Sequence, residues 1–440
     1  MELNQVIEYL SSTTDCDPNL IKSRACITAL NLKPTYPIIL IGGTNGKGSV
    51  CAYLSTILTQ GGYLVGSFTS PHVFKYNERI CINTQPIDDE ILTNVLEQII
   101  NNWNQHQLPN LGIFKAFMLA AHLIFIQKKV DIAVIEVGIG GRHDITNLFE
   151  PLISAITNVE LDHCELLGNT LEAIGREKSG IFRPGKYSFF GDDTPPISLI
   201  EYAQEIGTKF ERFGINFGIT RHNIILNDIK DNVNTSSGIS GHNSCFDVWC
   251  GNKKYYSLPY PSLRGDNQPK NVALSLAILN KLQHQFPLSI STIKSALLNT
   301  NLIGRFQVMP GLPQIILDVA HNPHAITNML QNMLKLPFNR QTIAVFGIAK
   351  DKDAEQVIQL CSGYFEKWFI AKTKHDRGLT TQYIAAMLKN NLVLEQNIIQ
   401  CVSIAEACIK AYQYSCARII CFGSFLVVEE AYTTISNMRK

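Results

Sequence analysis

The sequence has almost no net charge and no run of basic residues. Its 440 residues include 38 Lys and Arg against 37 Asp and Glu, so the formal net charge is +1. Non-specific binding to nucleic acid or to an anionic membrane surface is therefore not favoured. No apolar stretch has the length of a membrane span, and the N-terminus does not resemble a secretory signal. We expect a soluble, cytoplasmic protein without nucleic-acid or membrane partners.

The cysteines also lack a pattern. There are 12 of them, with no repeated CxxC or Cys/His spacing. In a long chain without an export signal, such thiols are typically reduced and mostly buried. This argues against both a disulfide framework and a zinc site.

Apolar residues are plentiful: 45% of the chain is hydrophobic and 17% is charged, which is typical of large buried cores. Short apolar runs alternate with helical patterns, and this alternation predicts α/β domains with parallel, doubly wound sheets. The predicted strands are 36–43, 63–70, 130–138, 151–159, 313–320, 341–349, 367–373 and 417–424, and the helices are 47–61, 87–103, 113–128 and 268–282.

The alternation of strands and helices is interrupted once and then restarts. Residues 187–260 are rich in Asn, Gly, Ser and aromatic residues, and we expect irregular strands and loops there. After Gly304 the rhythm restarts. The prediction is a doubly wound ATPase domain with a P-loop-type site at 1–300, followed by a smaller Rossmann-like domain at 301–440.

A glycine-rich stretch, GGTNGKGS, occupies residues 42–49 between a predicted strand and a predicted helix. Such a turn presents backbone N–H groups and a helix N-terminus to an anion. Lys47 can reach phosphate oxygens, and Ser49 or Thr44 can support Mg²⁺. The alternative is a plain glycine turn.

Other polar residues follow predicted strands, where ligands bind in open α/β sheets. Ser70 and Glu136 end two of these strands, and Asp162 and His163 follow a third. A buried carboxylate needs a partner, such as a metal or an arginine. Mg²⁺ prefers oxygen ligands, so a histidine ligand is less usual. An ordinary loop at Ser70 and a structural Asp-His pair are the alternatives.

Three further stretches carry charged residues. Glycines around 138–141 allow a close approach of the backbone to a ligand, although Arg142 and Asp144 could simply pair with each other. From chemistry alone, Lys178 is a solvated helical charge. Past the domain boundary, Arg305 could contact a base or phosphate, and Asp318 could hold ribose hydroxyls. The alternatives are a salt bridge in the linker and a helix N-cap.

In their order, these motifs resemble those of folylpolyglutamate synthases and dihydrofolate synthases, which belong to the Mur ligase superfamily. The resemblance runs from about residue 40 to CFGSFLVVEEA near the C-terminus. In this family a glycine follows the loop lysine, as Gly48 does here, where peptidoglycan-building relatives mostly carry a hydroxyl residue. The motifs are GTNGKGS, SPH…ERI, EVGIGGRHDITN, LDHCELLG, IGREKSGIFRPG, GRFQV and DVAHNPHA.

The resemblance implies roles for individual residues. Lys178 matches a lysine that the family carbamylates, and Lys47, Lys178 and His163 are the implied catalytic residues. The implied metal ligands are Ser70, Glu136 and His163, for Mg²⁺ at two sites, with a monovalent cation as a further cofactor. The implied ATP-binding residues are Thr44, Asn45, Gly46, Lys47, Gly48, Ser49, Asn271, Arg305, Asp318 and His321.

The resemblance is weaker where the family binds its pterin. The pterin residues that it implies are Phe114, Lys115, Arg142 and Asp144. Family members often carry Thr-x-Phe-Glu where this chain has GIFK, so Lys115 replaces an acid. The usual I-x-L-G-L-x-R corresponds to DPNLIKSR at 17–24, with only Arg24 plainly matched, and His143 replaces a frequent Leu.

The implied activity is ATP-dependent ligation of L-glutamate to dihydropteroate, to the γ-carboxyl of tetrahydrofolate, or to both, through an acyl phosphate. A monomer is expected. Muramyl-type ligases carry an additional N-terminal domain, for which the strand at 36–43 leaves no room. A nucleotide-dependent regulatory ATPase would need no second-substrate site, and the lysine, glutamate and histidine of the motifs argue against a non-catalytic ATP-binding scaffold.

Overall fold

The structure is a computed structural model, and it describes residues 2–13, 17, 19–221, 245–336, 341–374, 376–414 and 418–439. These residues form two compact units. The first contains residues up to 221 together with 245–261 and 269–300, and the second contains residues 262–268 and those from 301 onward. Each unit is described separately below.

An eight-stranded sheet forms the centre of the first unit, in the order β4-β3-β2-β5-β1-β6-β7-β8. The six strands from β2 to β8 in this order are parallel, and β3 and β4 are added antiparallel at one edge. The strands are β1 (Ile38–Gly42), β2 (Val65–Phe68), β3 (Ile80–Ile82), β4 (Gln85–Pro86), β5 (Ile132–Glu136), β6 (Ile153–Ile156), β7 (Tyr187–Phe190) and β8 (Lys209–Arg212).

The central strands are apolar throughout because helices cover both faces of a parallel sheet. Every residue of β1, with the sequence IILIG, is buried. The helices of this unit are α1 (Leu3–Ser11), α2 (Ile21–Ala29), α3 (Lys47–Gln60), α4 (Asp89–Gln105), α5 (Ile113–Lys128), α6 (Cys164–Leu167), α7 (Leu171–Ser179), α8 (Ile197–Glu205), α9 (Gln268–Leu282) and α10 (Ile290–Asn299).

Helix α4 shows how the sequence pattern becomes packing. Its buried side chains are three or four residues apart, so they form one apolar face toward the core. Burying each large apolar side chain contributes about 1.5–3 kcal/mol. These side chains are Leu92, Val95, Leu96, Ile99, Ile100 and Trp103.

The prediction for residues 187–260 was wrong in its first part. Strand β7, helix α8 and strand β8 form a regular unit that extends the parallel sheet. The later part is a three-stranded antiparallel sheet of short strands, while residues 222–244 lie outside the described residues. These strands are β9 (Phe217–Arg221), β10 (Cys245–Cys250) and β11 (Lys253–Pro259).

The second unit contains a six-stranded sheet in the order β12-β13-β17-β14-β15-β16, and only β12 is antiparallel. Its strands are β12 (Gln307–Met309), β13 (Gln314–Leu317), β14 (Thr342–Phe346), β15 (Lys367–Ala371), β16 (Ile398–Cys401) and β17 (Arg418–Phe422). Its helices are α11 (Pro323–Leu334), α12 (Ala354–Cys361), α13 (Thr381–Asn390), α14 (Ile404–Gln413) and α15 (Phe425–Met438).

The predicted fold class is confirmed: both units are α/β, with parallel strands at their centres. Each strand predicted from an apolar run exists, shortened by one to three residues at its ends, and Ala417 of the last one lies outside the described residues. Strands β3, β4, β12 and β16 and helices α1, α2, α6 and α10 had not been predicted. Within the described ranges, no helix is long and apolar enough to cross a membrane.

Candidate active site

The glycine-rich loop connects the carboxyl end of β1 to the N-terminus of α3. Gly43 and Gly46 adopt positive φ values of 136° and 87°, which favour glycine. A Cβ on Gly46 would lie 3.0 Å from Asn271 Oδ1. Gly46 is also the N-cap of α3 and makes no side-chain cap bond. The first-turn amides, including those of Gly48 and the buried Ser49, therefore present an anion-binding helix end.

The segment after β6 holds this loop in place. Thr157 Oγ1 donates to the Asn45 carbonyl at 2.6 Å, and the Asn45 N–H donates to Asn158 Oδ1 at 2.9 Å. The Thr44 N–H donates to the Asn158 carbonyl at 3.1 Å, and Thr44 Oγ1 accepts from the Glu160 N–H at 3.0 Å. Thr44 and Asn45 therefore shape the loop through bonds to this segment, and the motifs had not shown that Thr157 and Asn158 do this.

Two lysines meet at the Gly43 carbonyl oxygen. Lys47 Nζ donates to it at 3.0 Å and Lys178 Nζ at 3.1 Å, and Lys47 also reaches the Thr44 carbonyl at 3.3 Å. Lys178 is only 4% exposed, so the interpretation of this residue as a solvated charge was wrong.

Burial and, to a lesser extent, the positive charge of Lys47 together lower the pKa of Lys178 to about 7, against the opposing effect of Asp162 and Glu177. At neutral pH a large fraction of Lys178 is therefore an uncharged amine. An uncharged amine is a nucleophile, whereas an ammonium ion is not.

Ser70 and Glu136 come together at the ends of β2 and β5, which are neighbours in the sheet. The Ser70 N–H donates to Glu136 Oε2 at 3.2 Å, and Glu136 is 4% exposed. In the register of the sheet, Glu136 lies beside Ile41, just before the glycine-rich loop. A hydroxyl and a buried carboxylate beside a phosphate loop suit Mg²⁺, which typically binds one or two carboxylates plus substrate phosphates.

His163 lies in the segment after β6 and has a positive φ of 53°. Its N–H donates to Asp162 Oδ1 at 2.9 Å, and its Nε2 is 4.0 Å from Asp162 Oδ2. Asp162 also acts electrostatically on Lys178. Within the described residues, no group of three or more His, Cys, Asp and Glu could hold a metal. A metal here would thus depend on the Ser70 hydroxyl and on substrate oxygens as well.

Asp144 braces the turn that follows β5. Its carboxylate accepts from the N–H groups of Gly138 (3.1 Å), Ile139 (3.3 Å) and Thr146 (2.9 Å). Burial raises its pKa, although these hydrogen bonds oppose the shift. Arg142 instead places its guanidinium 4.8 Å from the centre of the Tyr202 ring. The alternative of an Arg142–Asp144 ion pair was therefore wrong.

Phe114 forms an aromatic wall next to this turn. Its ring packs edge-on against Phe68 at 5.6 Å, and a Cβ on Gly138 would come within 2.6 Å of its ring. Gly138 therefore allows Phe114 to lie directly against the backbone beyond Glu136. Lys115, the next residue, is buried and paired with Asp17, a partner that the sequence pattern had not indicated.

In the second unit, Asp318 follows β13 directly. Its carboxylate accepts from the N–H groups of Phe306 (3.1 Å) and Ala320 (2.8 Å). Burial raises its pKa to about 6, against those two hydrogen bonds and the positive charges of Arg305 and His321. Asp318 is therefore partly protonated near pH 6, unlike an exposed aspartate.

The neighbours of Asp318 share its strand end. The Arg305 guanidinium lies 5.3 Å from the centre of the Phe425 ring, and His321 Nδ1 lies 2.8 Å from the Val319 carbonyl oxygen. Helix α11 begins at Pro323, as predicted, and Asn322 rather than Asp318 caps it through a bond from the Ala325 N–H. The helix-cap alternative for Asp318 was therefore wrong.

Two family models cover most of the chain. Residues 41–279 match the Mur ligase middle domain, and residues 304–425 match the Mur ligase glutamate ligase domain. The phosphate loop falls within the first match and Asp318 within the second. The fold and the site thus define an ATP-dependent ligase of the Mur type.

Individual relatives narrow this class. The dihydrofolate synthase/folylpolyglutamate synthase of Buchnera aphidicola subsp. Schizaphis graminum is 34% identical over 412 residues, which are 93% of this chain and 90% of the relative. The structure of E. coli FolC in complex with DHPP and ADP has a TM-score of 0.87 at 28% identity, covering 100% of this chain and 99% of that one. The chain belongs to the dihydrofolate synthase/folylpolyglutamate synthase family.

A second solved structure is similar over the same length. It is the Yersinia pestis bifunctional folylpolyglutamate synthase/dihydrofolate synthase, complexed with AMPPNP and Mn ion. The TM-score is 0.85 at 30% identity, with 99% of this chain and 98% of that chain covered. The resemblance seen in the motifs therefore extends over the whole fold.

Proposed function

We propose that this chain forms an amide bond between L-glutamate and a folate-type carboxylic acid, with hydrolysis of ATP to ADP and phosphate. The acceptor is dihydropteroate, the γ-carboxyl of tetrahydrofolate, or both. The observation that carries the proposal is the pair of lysines on the Gly43 carbonyl at the start of α3. Lys47 places a positive charge where a helix end already favours phosphate, and Lys178 lies beside it as a largely uncharged amine.

The first step activates the acceptor acid. A carboxylate oxygen attacks the γ-phosphorus of ATP, a new O–P bond forms, and the bond to ADP breaks. Lys47 and the first-turn amides of α3 hold the transferred phosphoryl group and neutralise its charge, so catalysis is positioning and electrostatics. The product of this step is an acyl phosphate.

The second step forms the amide. The uncharged amine of L-glutamate attacks the acyl carbon, a C–N bond forms, and a tetrahedral intermediate results. The intermediate collapses with cleavage of the C–O bond to phosphate, and the amine proton passes to solvent or to a nearby base. The match to a glutamate ligase domain supports L-glutamate as the amine.

A divalent metal fits the residues at the ends of β2 and β5. Ser70, Glu136 and His163 would hold it, and their oxygen and imidazole ligands are compatible with Mg²⁺ or Mn²⁺. When bound, the metal would neutralise charge on the phosphate oxygens. Two such sites are proposed, with Lys178 supporting the second, and a monovalent cation remains a prediction from the family resemblance.

Lys178 is proposed to be carbamylated. Its uncharged Nζ attacks the carbon of CO₂, an N–C bond forms, and one proton is released, so a neutral amine becomes an anion. Burial and a pKa of about 7 support this chemistry because the amine is uncharged at neutral pH. Native mass spectrometry should show the mass of one CO₂ added to wild-type protein and none added to a Lys178→Met variant.

The remaining residues are proposed to bind substrates. Asn271, Arg305, Asp318 and His321 would contact the nucleotide, and the Arg305–Phe425 pair and the enclosed carboxylate of Asp318 support this role. Phe114, Lys115, Arg142 and Asp144 would form the acceptor site. A cytoplasmic monomer of two domains, 1–300 and 301–440, is the proposed form of the protein.

The decisive experiment is a product assay with ATP and L-glutamate, in which dihydropteroate and tetrahydrofolate are compared as acceptors. We expect ADP release to require both the acceptor and glutamate, and the product to gain one glutamate. ADP release that needs neither would instead indicate a regulatory ATPase. A product formed only with a muramyl acceptor would assign the chain to the muramyl ligases.

A further inference from the structure

A buried ion pair joins the N-terminal segment to the first turn of α5. Lys115 Nζ lies 3.8 Å from Asp17 Oδ2, and the two side chains are 5% and 4% exposed. The same Nζ donates to the backbone carbonyl of Asp17 at 3.3 Å. The side chain and the backbone of Asp17 therefore both face Lys115.

The Asp17 carboxylate also organises the start of α2. Its Oδ1 accepts from the Lys22 N–H at 3.1 Å, and its Oδ2 accepts from the Ser23 N–H at 2.8 Å and from Ser23 Oγ at 2.7 Å. Burial acts to raise the pKa of Asp17, but these hydrogen bonds and the Lys115 charge outweigh it and the pKa is lowered. Asp17 is therefore a fixed anion.

The position of Lys115 makes a partner necessary. It is the third residue of α5, where the positive end of the helix dipole favours an acid and disfavours a cation. Burial adds a desolvation penalty for the ammonium group. A carboxylate at position 115 would suit the helix end, but it would lie against the Asp17 carboxylate. The negative charge of Asp17 therefore determines that a positive charge is the stable one at position 115.

The ion pair lies next to the aromatic wall at Phe114. Two further contacts join the same segments: Asn110 Nδ2 donates to the Tyr9 carbonyl at 2.9 Å, and a Cβ on Gly112 would lie 3.6 Å from the Thr13 carbonyl oxygen. Tyr9, Thr13 and Asp17 of the N-terminal segment therefore lie near Asn110, Gly112 and Lys115, respectively. A shift of the first turn of α5 would move the Phe114 ring away from Gly138.

We propose that the Asp17–Lys115 pair is a positioning element that fixes the first turn of α5 and thereby sets the affinity for the acceptor acid. This inference rests on the proposed function, in which Phe114 lines the acceptor site. It implies that an acid at position 115 is tolerated only when residue 17 carries no negative charge.

The test compares Asp17→Asn, Lys115→Glu and the double variant by the KM values for dihydropteroate and for ATP. Asp17→Asn alone should raise the KM for dihydropteroate, because it removes the negative charge of Asp17 that faces Lys115. Lys115→Glu alone should raise it more, by at least about tenfold, because two carboxylates then face each other. The KM for ATP should stay within about twofold of wild type, since the phosphate loop is untouched.

Adding Asp17→Asn to Lys115→Glu should lower the KM for dihydropteroate, the opposite of its effect in wild type. The amide of Asn still offers an acceptor to Ser23 and a donor to the new carboxylate. The matched control is the Lys281–Glu211 ion pair of the same unit, with Nζ and Oε1 2.5 Å apart. Lys281→Glu should leave the KM for dihydropteroate unchanged.

Three results would overturn the inference: wild-type affinity in Lys115→Glu, equal changes in both KM values, or a double variant no better than Lys115→Glu. If Lys115→Glu does not fold, Lys115→Met replaces it, and an unchanged KM for dihydropteroate in that variant overturns the inference. Wild-type protein without ligase activity contradicts the proposed function instead. A double-mutant cycle in thermal unfolding would still detect the coupling of the pair in that case.

Discussion

Each unit buries a titratable side chain near the carboxyl end of a central strand, but the two groups have opposite charge types. The amine of Lys178, which belongs to α7, reaches the loop after β1, whereas Asp318 directly follows β13. In the first unit Lys178 donates to the Gly43 carbonyl, and its pKa falls to about 7. In the second unit Asp318 accepts from backbone N–H groups, and its pKa rises to about 6. Desolvation causes both shifts because burial disfavours the charged form of either group.

The sites around Lys178 and Asp318 differ in the charged residues that surround the buried group. Lys178 has a second lysine beside it, and Lys47 drives its pKa further down. Asp318 has Arg305 and His321 beside it, and their charges hold its pKa below the value that burial alone would give. The first site therefore favours an uncharged, reactive amine, and the second favours an anion that can accept hydroxyl groups above pH 6.

The largest loss of activity is expected when Lys47, the charged neighbour of Lys178, is removed. Lys47→Ala deletes the ammonium group that we propose neutralises the transferred phosphoryl group, so kcat should fall by roughly 1000-fold. The measurement is ADP release with dihydropteroate and glutamate, with circular dichroism as the control for folding. A folded, fully active variant would contradict the assignment of the phosphate loop.

Lys178→Met should lower kcat by roughly 100-fold and remove the response to CO₂. In CO₂-depleted buffer, the activity of wild type should fall as the pH is lowered past about 7, because the amine is then protonated. Added bicarbonate should restore this activity. Bicarbonate should have no effect on the variant.

The same variant tests the buried charge by thermal unfolding. The folded-state pKa of Lys178 is lowered, so between about pH 7 and pH 10.5 the unfolded chain binds more protons and stability rises with pH. Removing the amine should therefore raise the unfolding temperature, most clearly below about pH 7. A variant that melts below wild type at neutral pH would argue against a strained lysine.

At the second site, Asp318→Asn should weaken nucleotide binding by roughly tenfold, since a charged acceptor is lost. Wild-type affinity for ADP should fall as the pH drops through about 6, and the variant should lose this dependence. Calorimetric titration with ADP at about pH 5 and about pH 8 measures both effects.

Asp318 also makes the stability of the folded protein depend on pH. Its folded-state pKa is raised, so its favourable contribution is present below about pH 4 and is lost as the pH rises through about 6. The unfolding temperatures of wild type and Asp318→Asn should therefore become more similar as the pH is lowered. A constant difference between them would place the titration on another group.

The smallest effect is expected from His143→Leu, which introduces the residue frequent in the family. His143 is largely exposed, and its Nδ1 lies 3.1 Å from Glu177 Oε1. Exposed pairs of this kind contribute about 1 kcal/mol or less, so activity should change by less than about twofold. A large loss would show that Glu177 acts on Lys178 through His143.

Much of the fold could be predicted because the central strands are continuous apolar runs. Strands β1, β5 and β6 were recognised this way, and helices α3, α4, α5 and α9 were recognised from their helical patterns. Strands β7 and β8 were missed because the surrounding sequence is rich in turn-forming and aromatic residues. Their pairing with the sheet depends on contacts with β6, which a local pattern does not contain.

The candidate site was predicted only where its residues form motifs. The glycine-rich loop, Glu136 and Asp318 each follow a buried strand, and the position of a strand end is a local feature. The bond from the Asn45 N–H to Asn158 was not predicted. Asp17 lies in the stretch that corresponds to a family motif, but its pairing with Lys115 was not indicated, because the two residues are 98 positions apart in the chain.

By itself, the sequence determined the alternation of strands and helices, the glycine-rich loop whose backbone at Gly43 and Gly46 favours residues without a side chain, and the kinds of polar group at each strand end. These follow from local periodicity and backbone sterics. The tertiary structure alone decided which groups share an environment. It brings Lys178 to a carbonyl 135 residues away and encloses it, and a pKa shift of this kind exists only once folding has removed the surrounding water.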